Sequence, residues 1–114
     1  MTDRQIYKLH ASICHTLANP KRLEIIDKLR ARELSVTELV DAMEISQSNL
    51  SQHLSLMRQR GILTTRREGL NIFYRLSNPK IIQACELMRQ VLLEHLETSV
   101  EMAREKTMEK EPVS

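Results

Sequence analysis

Residues 35–60, SVTELVDAMEISQSNLSQHLSLMRQR, carry start signals for two short helices with only a brief break between them. Ser35 and Glu38 have the S-x-x-E spacing of a capping box, in which each side chain satisfies a backbone N–H at a helix start. Ser46 is the N-cap candidate of the second helix, and Gly61 stands where a left-handed residue is wanted to end it. The stretch therefore predicts a helix-turn-helix.

The second helix of this pair has two different faces. Leu50, Leu54 and Met57 recur at i, i+4 and i+7, so they are expected to point into a core. Its first turns carry small or amide side chains that donate and accept hydrogen bonds, namely Gln47, Ser48, Asn49, Ser51 and Gln52. Such side chains read base edges in the major groove of DNA. The same pattern also suits an ordinary helix pair with a solvent-facing turn, so the flanking sequence must decide.

Positive charge is concentrated beside this helix. Residues 46–80 carry six Lys or Arg against one Glu, a net charge of +5, whereas the whole chain carries only +2. A cluster of this kind neutralises DNA phosphates. Chance clustering on a solvated face is the alternative.

After Gly61 the hydrophobic pattern changes from helical to alternating. Residues 62–67 and 72–76 are β-prone and are separated by a turn at 68–71, which predicts a two-stranded hairpin. Two strands alone are marginally stable in water, so the hairpin must pack against the helices. Its basic and polar tip suits a wing that lies along DNA. The candidate contacts here and on the preceding helix are Arg58, Arg66, Arg67 and Asn71, together with His53, which could either contact DNA or pack against the hairpin.

Two further helices are predicted before this region. Residues 4–18 carry an apolar stripe, and Asn19-Pro20 ends that helix and starts the next, because Asn is a good N-cap and Pro suits the first helical position. The second helix, residues 21 to about 32, is expected to place three side chains inward: Leu23, Ile26 and Leu29.

A last helix starts at Asn78-Pro79, which repeats the Asn-Pro pair. Its apolar stripe is wider than a small monomer would cover, and a helix from a second copy of the chain is the simplest partner. Residues 99–114 are charged and have no stripe, so we expect a helical extension that frays into a disordered tail. The domain proper is predicted to span residues 1–98.

The order helix, helix, helix-turn-helix, hairpin, helix is a winged helix-turn-helix, mainly α with a small β-hairpin. The residues that carry it resemble the ArsR–SmtB family of bacterial repressors over about residues 10–96. The matching segments are 17–26, 33–39, 45–54, 56–63 and 66–76, in which S-Q-S-x-x-S-Q-H-L and R-E-G-x-x-x-x-Y are the most specific motifs. The resemblance implies a homodimer held by its first and last helices, which binds double-stranded operator DNA and leaves it when an inducer binds.

The resemblance does not extend to the sensing sites known in that family. Ser35, Val36 and Thr37 stand where its arsenic and cadmium sensors have Cys-Val-Cys. Three of the four zinc ligands of its last helix are missing, the corresponding positions being Asn78, Lys80, Val91 and Glu94. Thiol-sensing members carry a Cys where this chain has Asp27.

The two cysteines of the chain, Cys14 and Cys85, leave three interpretations open. If the first and last helices pack together as the resemblance implies, the thiols could form a disulfide or polysulfide bridge that acts as a redox sensor. A metal or metalloid could instead bind Cys14 with His10 or His15. The third interpretation is that both cysteines are inert core residues.

Composition excludes several other classes. A chain of 114 residues and 13.3 kDa predicts one small domain. No apolar run is long enough to cross a bilayer and the first residues lack a signal peptide's apolar segment, so we expect a cytoplasmic protein with no membrane partner. The four His residues are scattered and the sequence has no Gly-rich phosphate loop, so we expect neither enzymatic activity nor a bound cofactor. A winged helix that binds proteins instead of DNA is the serious alternative, and the retained arginines favour DNA.

Overall fold

The computed structural model describes residues 1–110, with side chains described through residue 107. The elements in chain order are α1 (Asp3–Leu17), α2 (Pro20–Lys28), β1 (Leu34–Ser35), α3 (Val36–Met43), α4 (Gln47–Gln59), β2 (Leu63–Glu68), β3 (Asn71–Leu76) and α5 (Lys80–Lys110). They fall into two compact units, one of residues 1–82 and one that starts at Gln83. The helices and the hairpin follow in the predicted order, which confirms the mainly α winged helix-turn-helix.

The helix starts are where the capping signals predicted them. Ser35 Oγ accepts from the Glu38 backbone N–H at 3.1 Å, and Glu38 Oε1 accepts from the Ser35 N–H at 3.1 Å, so the capping box is complete. Ser46 Oγ accepts from the Asn49 N–H at 3.2 Å. Gly61 has a φ of 77°, the left-handed conformation that ends the α4 segment. These signals are local, so they could be recognised without the tertiary fold.

The sheet has one strand more than predicted. It is antiparallel with the order β1-β3-β2, and the β2–β3 hairpin pairs Leu63 with Leu76 and Glu68 with Asn71 at its two ends. The additional strand β1 has only two residues and pairs with Phe73 and Tyr74 of β3. Two residues cannot show a period-2 pattern, so β1 could not be predicted from the sequence. It connects the hairpin to the chain that enters α3, and this is the support that an isolated hairpin lacks.

The predicted end of α2 was wrong. The helix stops at Lys28 with Leu29 as its C-cap, about four residues before the expected end near Arg32. No Gly or Pro marks this point. The chain must leave the helix before Leu34, because β1 uses its backbone groups to pair with β3 and a continuing helix would need the same groups.

One core assignment in α2 was also wrong. Leu23 was expected to point inward, but it is 45% exposed, whereas Ile25 is fully buried beside Ile26 and Leu29. Ile25 shares a helix face with Leu29, and Leu23 lies at the edge of that face. The apolar core of residues 1–82 is formed by α2, β1, α3, α4 and the base of the hairpin. Its buried apolar members are Ile25, Ile26, Leu29, Leu34, Leu39, Met43, Leu50, Leu54, Met57, Ile62 and Leu63.

The second unit is the helix α5 from Gln83 onward. Met88, Leu92 and Leu96, which belong to its predicted stripe, are 69, 53 and 49% exposed in the single chain. The helix is unbroken to Lys110 and so passes the predicted domain boundary at residue 98. The last four residues of the extension and tail predicted for residues 99–114 lie outside the described residues. Among residues 1–110, no helix combines the length and the apolar character needed to cross a bilayer.

Candidate nucleic-acid interface

Helix α4 separates a buried face from a polar one. Leu50, Leu54 and Met57 are 0, 1 and 0% exposed, so they fix the helix to the core as predicted. The five predicted contact residues of its first turns are all exposed, namely Gln47, Ser48, Asn49, Ser51 and Gln52. Their amides and hydroxyls can donate to and accept from base edges. The free backbone N–H groups of the helix start add partial positive charge that suits a phosphate.

The polar face of α4 extends beyond the five predicted contact residues. A shallow open groove runs along the helix and is lined by Ser51, Gln52, Ser55, Leu56 and Gln59. Ser55 and Gln59 follow Ser51 and Gln52 by four and seven residues, so helical spacing places them on the same side. That spacing was the signal that could have identified them.

The turn before α4 is strained at one residue. Glu44, the C-cap of α3, has a φ of 52°, and its N–H bonds the Val40 carbonyl at 3.0 Å. This left-handed conformation costs a non-glycine residue roughly 1–2 kcal/mol. Nothing in the sequence marks it, because Glu is not a usual residue at such a position. The turn sets the angle between α3 and α4 and so directs the N-terminus of α4 outward.

The wing is the β2–β3 hairpin, with its tip at Gly69 and Leu70. Gly69 has a φ of 63°, which the tight connection between Glu68 and Asn71 requires. Arg67 and Asn71 are exposed beside this tip. The Arg67 guanidinium has no ion pair or hydrogen-bonding partner in the part of the chain that the structure describes, so its charge is available for a phosphate.

Arg66, another predicted wing contact, is already occupied within the chain. Its Nη2 lies 2.6 Å from Glu33 Oε1 and its Nη1 lies 2.9 Å from Glu68 Oε2. Its guanidinium also stacks over the ring of Phe73, 4.7 Å from the ring centroid, and Phe73 is the residue directly opposite Arg66 in the β2–β3 pair. The hydrogen bond from Arg66 lowers the pKa of Glu33, and the reciprocal bonds raise the pKa of Arg66 above its ordinary range. A phosphate contact by Arg66 stays a prediction, but the geometry favours a positioning role for the wing.

His53 lies against α2, which neither of its two predicted alternatives included. It is half-buried, and its Nδ1 accepts a hydrogen bond from Arg22 Nε at 3.2 Å. Burial lowers the pKa of His53, and the neighbouring Arg22 and Lys21 charges lower it further. A DNA contact by His53 is still untested, but the imidazole has an internal partner that the sequence did not reveal.

Arg58 completes the candidate set. It is exposed on the last turn of α4, and its guanidinium has no hydrogen bond or ion pair among residues 1–107. Arg58 on α4 and Arg67 on the wing thus provide exposed positive charge on the two elements that carry the predicted contacts. This pairing of a neutral reading face with free cations is the arrangement that a DNA-binding winged helix needs.

Comparison with known proteins identifies the family. The profile described as "Bacterial regulatory protein, arsR family" matches residues 19–65, from the N-cap of α2 into β2. The transcriptional activator HlyU of Vibrio cholerae is 43% identical over 75 residues, covering 66% of this chain and 69% of HlyU. This chain belongs to the arsR family. The resemblance that the motifs indicated is thereby confirmed.

Two further relatives extend the match of this arsR-family protein. The transcriptional repressor PagR of Bacillus anthracis is 35% identical over 82 residues, covering 71% of the chain and 82% of PagR. The solution structure of the homodimeric winged helix-turn-helix DNA-binding domain Mb0332 of Mycobacterium bovis superimposes with a TM-score of 0.76 at 29% identity, covering 86% of this chain and 93% of that one. The family and these relatives are transcriptional regulators, which confirms that the protein is not an enzyme.

The candidate sensing residues of this arsR-family regulator lie on α1 and α5. Cys14 is exposed on α1 and Cys85 is half-buried on α5, and both are free thiols. Burial raises the pKa of Cys85. Among the described residues, no three His, Cys, Asp or Glu side chains lie together in a way that could hold a metal ion. This applies also to His10, Cys14 and His15 on α1.

Proposed function

We propose that this arsR-family regulator is a homodimeric transcriptional repressor, which binds operator DNA through α4 and the wing and leaves it when an inducer acts. The observation that carries the proposal is the exposed, uncharged polar face of α4, together with the partner-free guanidinium groups of Arg58 on the same helix and Arg67 on the wing. Neutral hydrogen-bonding side chains supply sequence readout, and the cations supply affinity for the phosphate backbone. The function would be exerted in the cytoplasm, where bacterial DNA lies.

The homodimer is supported by the surfaces of two helices. On α1, Ile6 and Leu9 are 46 and 56% exposed, and on α5, Val91 is 58% exposed. Contiguous exposed apolar side chains on a helix indicate a surface that a partner covers. The relative Mb0332 is described as homodimeric, and a second copy of this chain is the partner that the family suggests.

A dimer would present two copies of α4 to the same side of a duplex. Two recognition helices enter successive major grooves about one helical turn apart, so the operator is expected to be a rough palindrome with half-sites spaced about 10 base pairs apart. Repression follows when such a site overlaps a promoter and the bound dimer blocks polymerase.

The inducer is proposed to be an oxidant that acts on Cys14 and Cys85. Hydrogen peroxide would remove two electrons and two protons from the thiols to form a disulfide and would itself be reduced to water. A polysulfide such as hydrogen trisulfide would instead transfer its central sulfur to the two thiols to form a trisulfide, and its terminal sulfurs would leave with the thiol protons as two molecules of hydrogen sulfide. Either product would favour a dimer geometry with misplaced recognition helices. Typical coupling free energies of about 1–3 kcal/mol would suffice. The alternative is a metal or metalloid bound by Cys14 with His10 or His15.

The test starts from operator sites enriched from a random duplex library by the purified protein under reducing conditions. Fluorescence anisotropy then compares affinity for the enriched site before and after mild oxidation, with Cys14→Ser and Cys85→Ser as matched variants. Loss of affinity on oxidation that reductant reverses and that either variant abolishes supports the thiol switch. Unchanged affinity contradicts it, and the same assay with Zn²⁺ or arsenite tests the metal alternative. Failure to enrich any site contradicts DNA binding and favours a protein-interaction module.

The direction of regulation needs its own measurement, because HlyU is named an activator and PagR a repressor. In vitro transcription from a promoter that contains the enriched site should decrease when the protein is added. An increase would contradict the proposed repression while leaving DNA binding intact.

A further inference from the structure

Arg22 connects three helices through one side chain. It is the third residue of α2, and its backbone N–H donates to the N-cap Asn19 Oδ1 at 3.2 Å. Its Nη1 donates to the carbonyl of Thr16, in the last turn of α1, at 3.1 Å. Its Nε donates to His53 Nδ1 on α4 at 3.2 Å. The guanidinium therefore lies between the end of α1 and the middle of α4.

The chemistry of this bridge depends on arginine. The Thr16 carbonyl is one of the last four of α1, which have no partner within the helix. The guanidinium serves this carbonyl and the imidazole nitrogen from two different nitrogens held in one plane, whereas Lys has a single nitrogen on a flexible stem. The bridge is also well supported, since Thr16 is 2% exposed and its hydroxyl donates to the Ser12 carbonyl at 2.8 Å.

A second arginine joins the same two helices further along. Arg60, the C-cap of α4, donates from Nη1 to Ser12 Oγ at 3.0 Å. Ser12 and Thr16 are one helical turn apart on α1, so α4 is connected to one side of α1 by two polar links. Apolar packing sets the depth of α4 in the core, whereas these directional bonds fix its rotation and its position along α1.

His53 is well placed to transmit this constraint to the reading face. It follows Gln52 directly and precedes Leu54, which is 1% exposed, so the residues on its two sides belong to the polar and the buried face of α4. A rotation of α4 that moved His53 away from Arg22 would also move Ser51 and Gln52, because all three residues lie on the same turn.

We propose that Arg22 is a positioning residue for operator recognition. Through its hydrogen bond to a neutral His53, Arg22 holds the polar face of α4 in a fixed position relative to α1, so that protonation of His53 weakens specific binding. This inference rests on the proposed DNA-binding function. The bond to Arg22 requires the Nδ1 lone pair, and an imidazolium has none. Acid would therefore convert an acceptor that holds α4 into a cation that repels the guanidinium.

The electrostatic surroundings of His53 agree with this assignment. The charges that act on it are Arg22 and Lys21, both from α2 and both positive, and within the described residues of the neighbouring α3 and β2 no carboxylate contributes to its titration. Together with burial they favour the neutral ring at neutral pH. The loss of operator affinity should then begin below pH 6.5, the ordinary pKa of histidine, because the surroundings lower the pKa of this residue.

The sign of the pH effect separates this role from direct DNA contact. A histidine that touches a phosphate binds better when protonated, so acid would strengthen binding to any DNA. A positioning histidine loses its bond when protonated, so acid would weaken binding to the operator and leave random DNA little changed. The two roles therefore predict opposite changes in operator affinity as the pH falls.

The experiment measures Kd by fluorescence anisotropy from pH 5.5 to 8.0 at constant ionic strength, on a labelled site enriched at pH 7.5 and on a random duplex of equal length. Arg22→Gln and His53→Ala remove the bond, while His53→Gln keeps an acceptor that does not titrate. Lys21→Gln is the matched control, because it removes a neighbouring cation that makes no bond to His53. Circular dichroism at each pH confirms that every variant is folded.

The expected result is a loss of operator affinity of about tenfold in Arg22→Gln and His53→Ala at pH 7.5, in line with a hydrogen bond to a charged group. His53→Gln should bind about as well as the wild type and should lose its pH dependence, and Lys21→Gln should change both duplexes alike. Acid-strengthened binding of the wild type would overturn the proposal and make His53 a phosphate contact. Equal losses of Arg22→Gln on operator and random duplex would overturn it as well. No enrichment of any site at pH 7.5 would overturn the DNA-binding function itself, and this inference with it.

Discussion

Arg66 on the wing and Glu33 before β1 are 33 residues apart in sequence, yet Arg66 Nη2 and Nε approach Glu33 Oε1 to 2.6 and 3.0 Å. Two donors on one carboxylate define the orientation of both side chains, which a single ammonium would not do. The pair lies beside the β1–β3 ladder and so fixes the base of the wing to the segment that enters α3. Because Glu33 neutralises the charge of Arg66, that charge is not free for a contact with a DNA phosphate.

Removing the carboxylate should loosen the wing. In Glu33→Gln, Arg66 retains Glu68 and Phe73 but loses the negative charge and the second oxygen of its partner outside the hairpin. We expect backbone amides of residues 64–76 to exchange roughly two- to fivefold faster, the range that exposed ion pairs support, with little change in global stability. Hydrogen-exchange mass spectrometry provides the measurement. Glu68→Gln is the matched control, since it removes a carboxylate within the hairpin, and equal acceleration in both variants would contradict a link between wing and β1.

The same pair should make the fold sensitive to acid. Hydrogen bonds lower the pKa of Glu33 below its ordinary 4.5, through Arg66, and that of Glu38, through Ser35 and then Arg32. A lowered pKa in the folded state gives stability that is present above pH 4.5 and is lost as the pH falls through the folded values. Urea unfolding from pH 3 to pH 6 should therefore show falling stability, and Glu33→Gln should reduce the slope. An unchanged slope would indicate that the pair contributes nothing to the free energy of unfolding.

The fold and the reading face were predictable because their signals are local. Capping residues such as Ser35 and Ser46, the i, i+4 spacing of Leu50 and Leu54, and a Gly-centred turn each act within a few residues. β1 was missed because only tertiary pairing with β3 creates it. The partner of Arg66 is 33 residues away and that of His53 is 31 residues away. Sequence alone therefore does not show whether a cationic residue is free to contact a phosphate or is already paired within the fold.

Arg67 and Gln52 should affect DNA binding in different ways. Gln52→Ala removes a base-edge contact on α4, so affinity should fall by about 1–3 kcal/mol for the operator and little for random DNA. Arg67→Ala removes a free wing cation, so it should weaken both duplexes alike and reduce the slope of log Kd against log salt by about one. Anisotropy titrations at four salt concentrations separate the two. Identical behaviour of both variants on the two duplexes would contradict this division of roles.

The core under α4 should dominate stability. Leu54 is 1% exposed, and Leu54→Ala should lower the free energy of unfolding by about 2–5 kcal/mol, because it leaves a cavity as well as losing buried area. Leu70→Ala makes the same chemical change at the wing tip, where the side chain is fully exposed, and should cost less than about 0.5 kcal/mol. Urea denaturation followed by circular dichroism measures both. Similar losses in the two variants would mean that α4 is not packed as described.

Cys14 and Cys85 should react with alkylating agents at different rates. The thiolate is the reactive form, and burial raises the pKa of Cys85 above its ordinary 9.0, so little of it is ionised at neutral pH. Cys14 is exposed, and iodoacetamide at pH 7.5 should label it first, as peptide mass spectrometry can show. The difference should shrink above pH 9, where Cys85 ionises more fully, and should disappear in urea. Protection of Cys14 in the folded protein that is lost on dilution would indicate that the dimer covers it. Faster labelling of Cys85 would contradict its burial and would instead identify it as an activated thiol, the property that the first oxidised cysteine of a redox sensor requires.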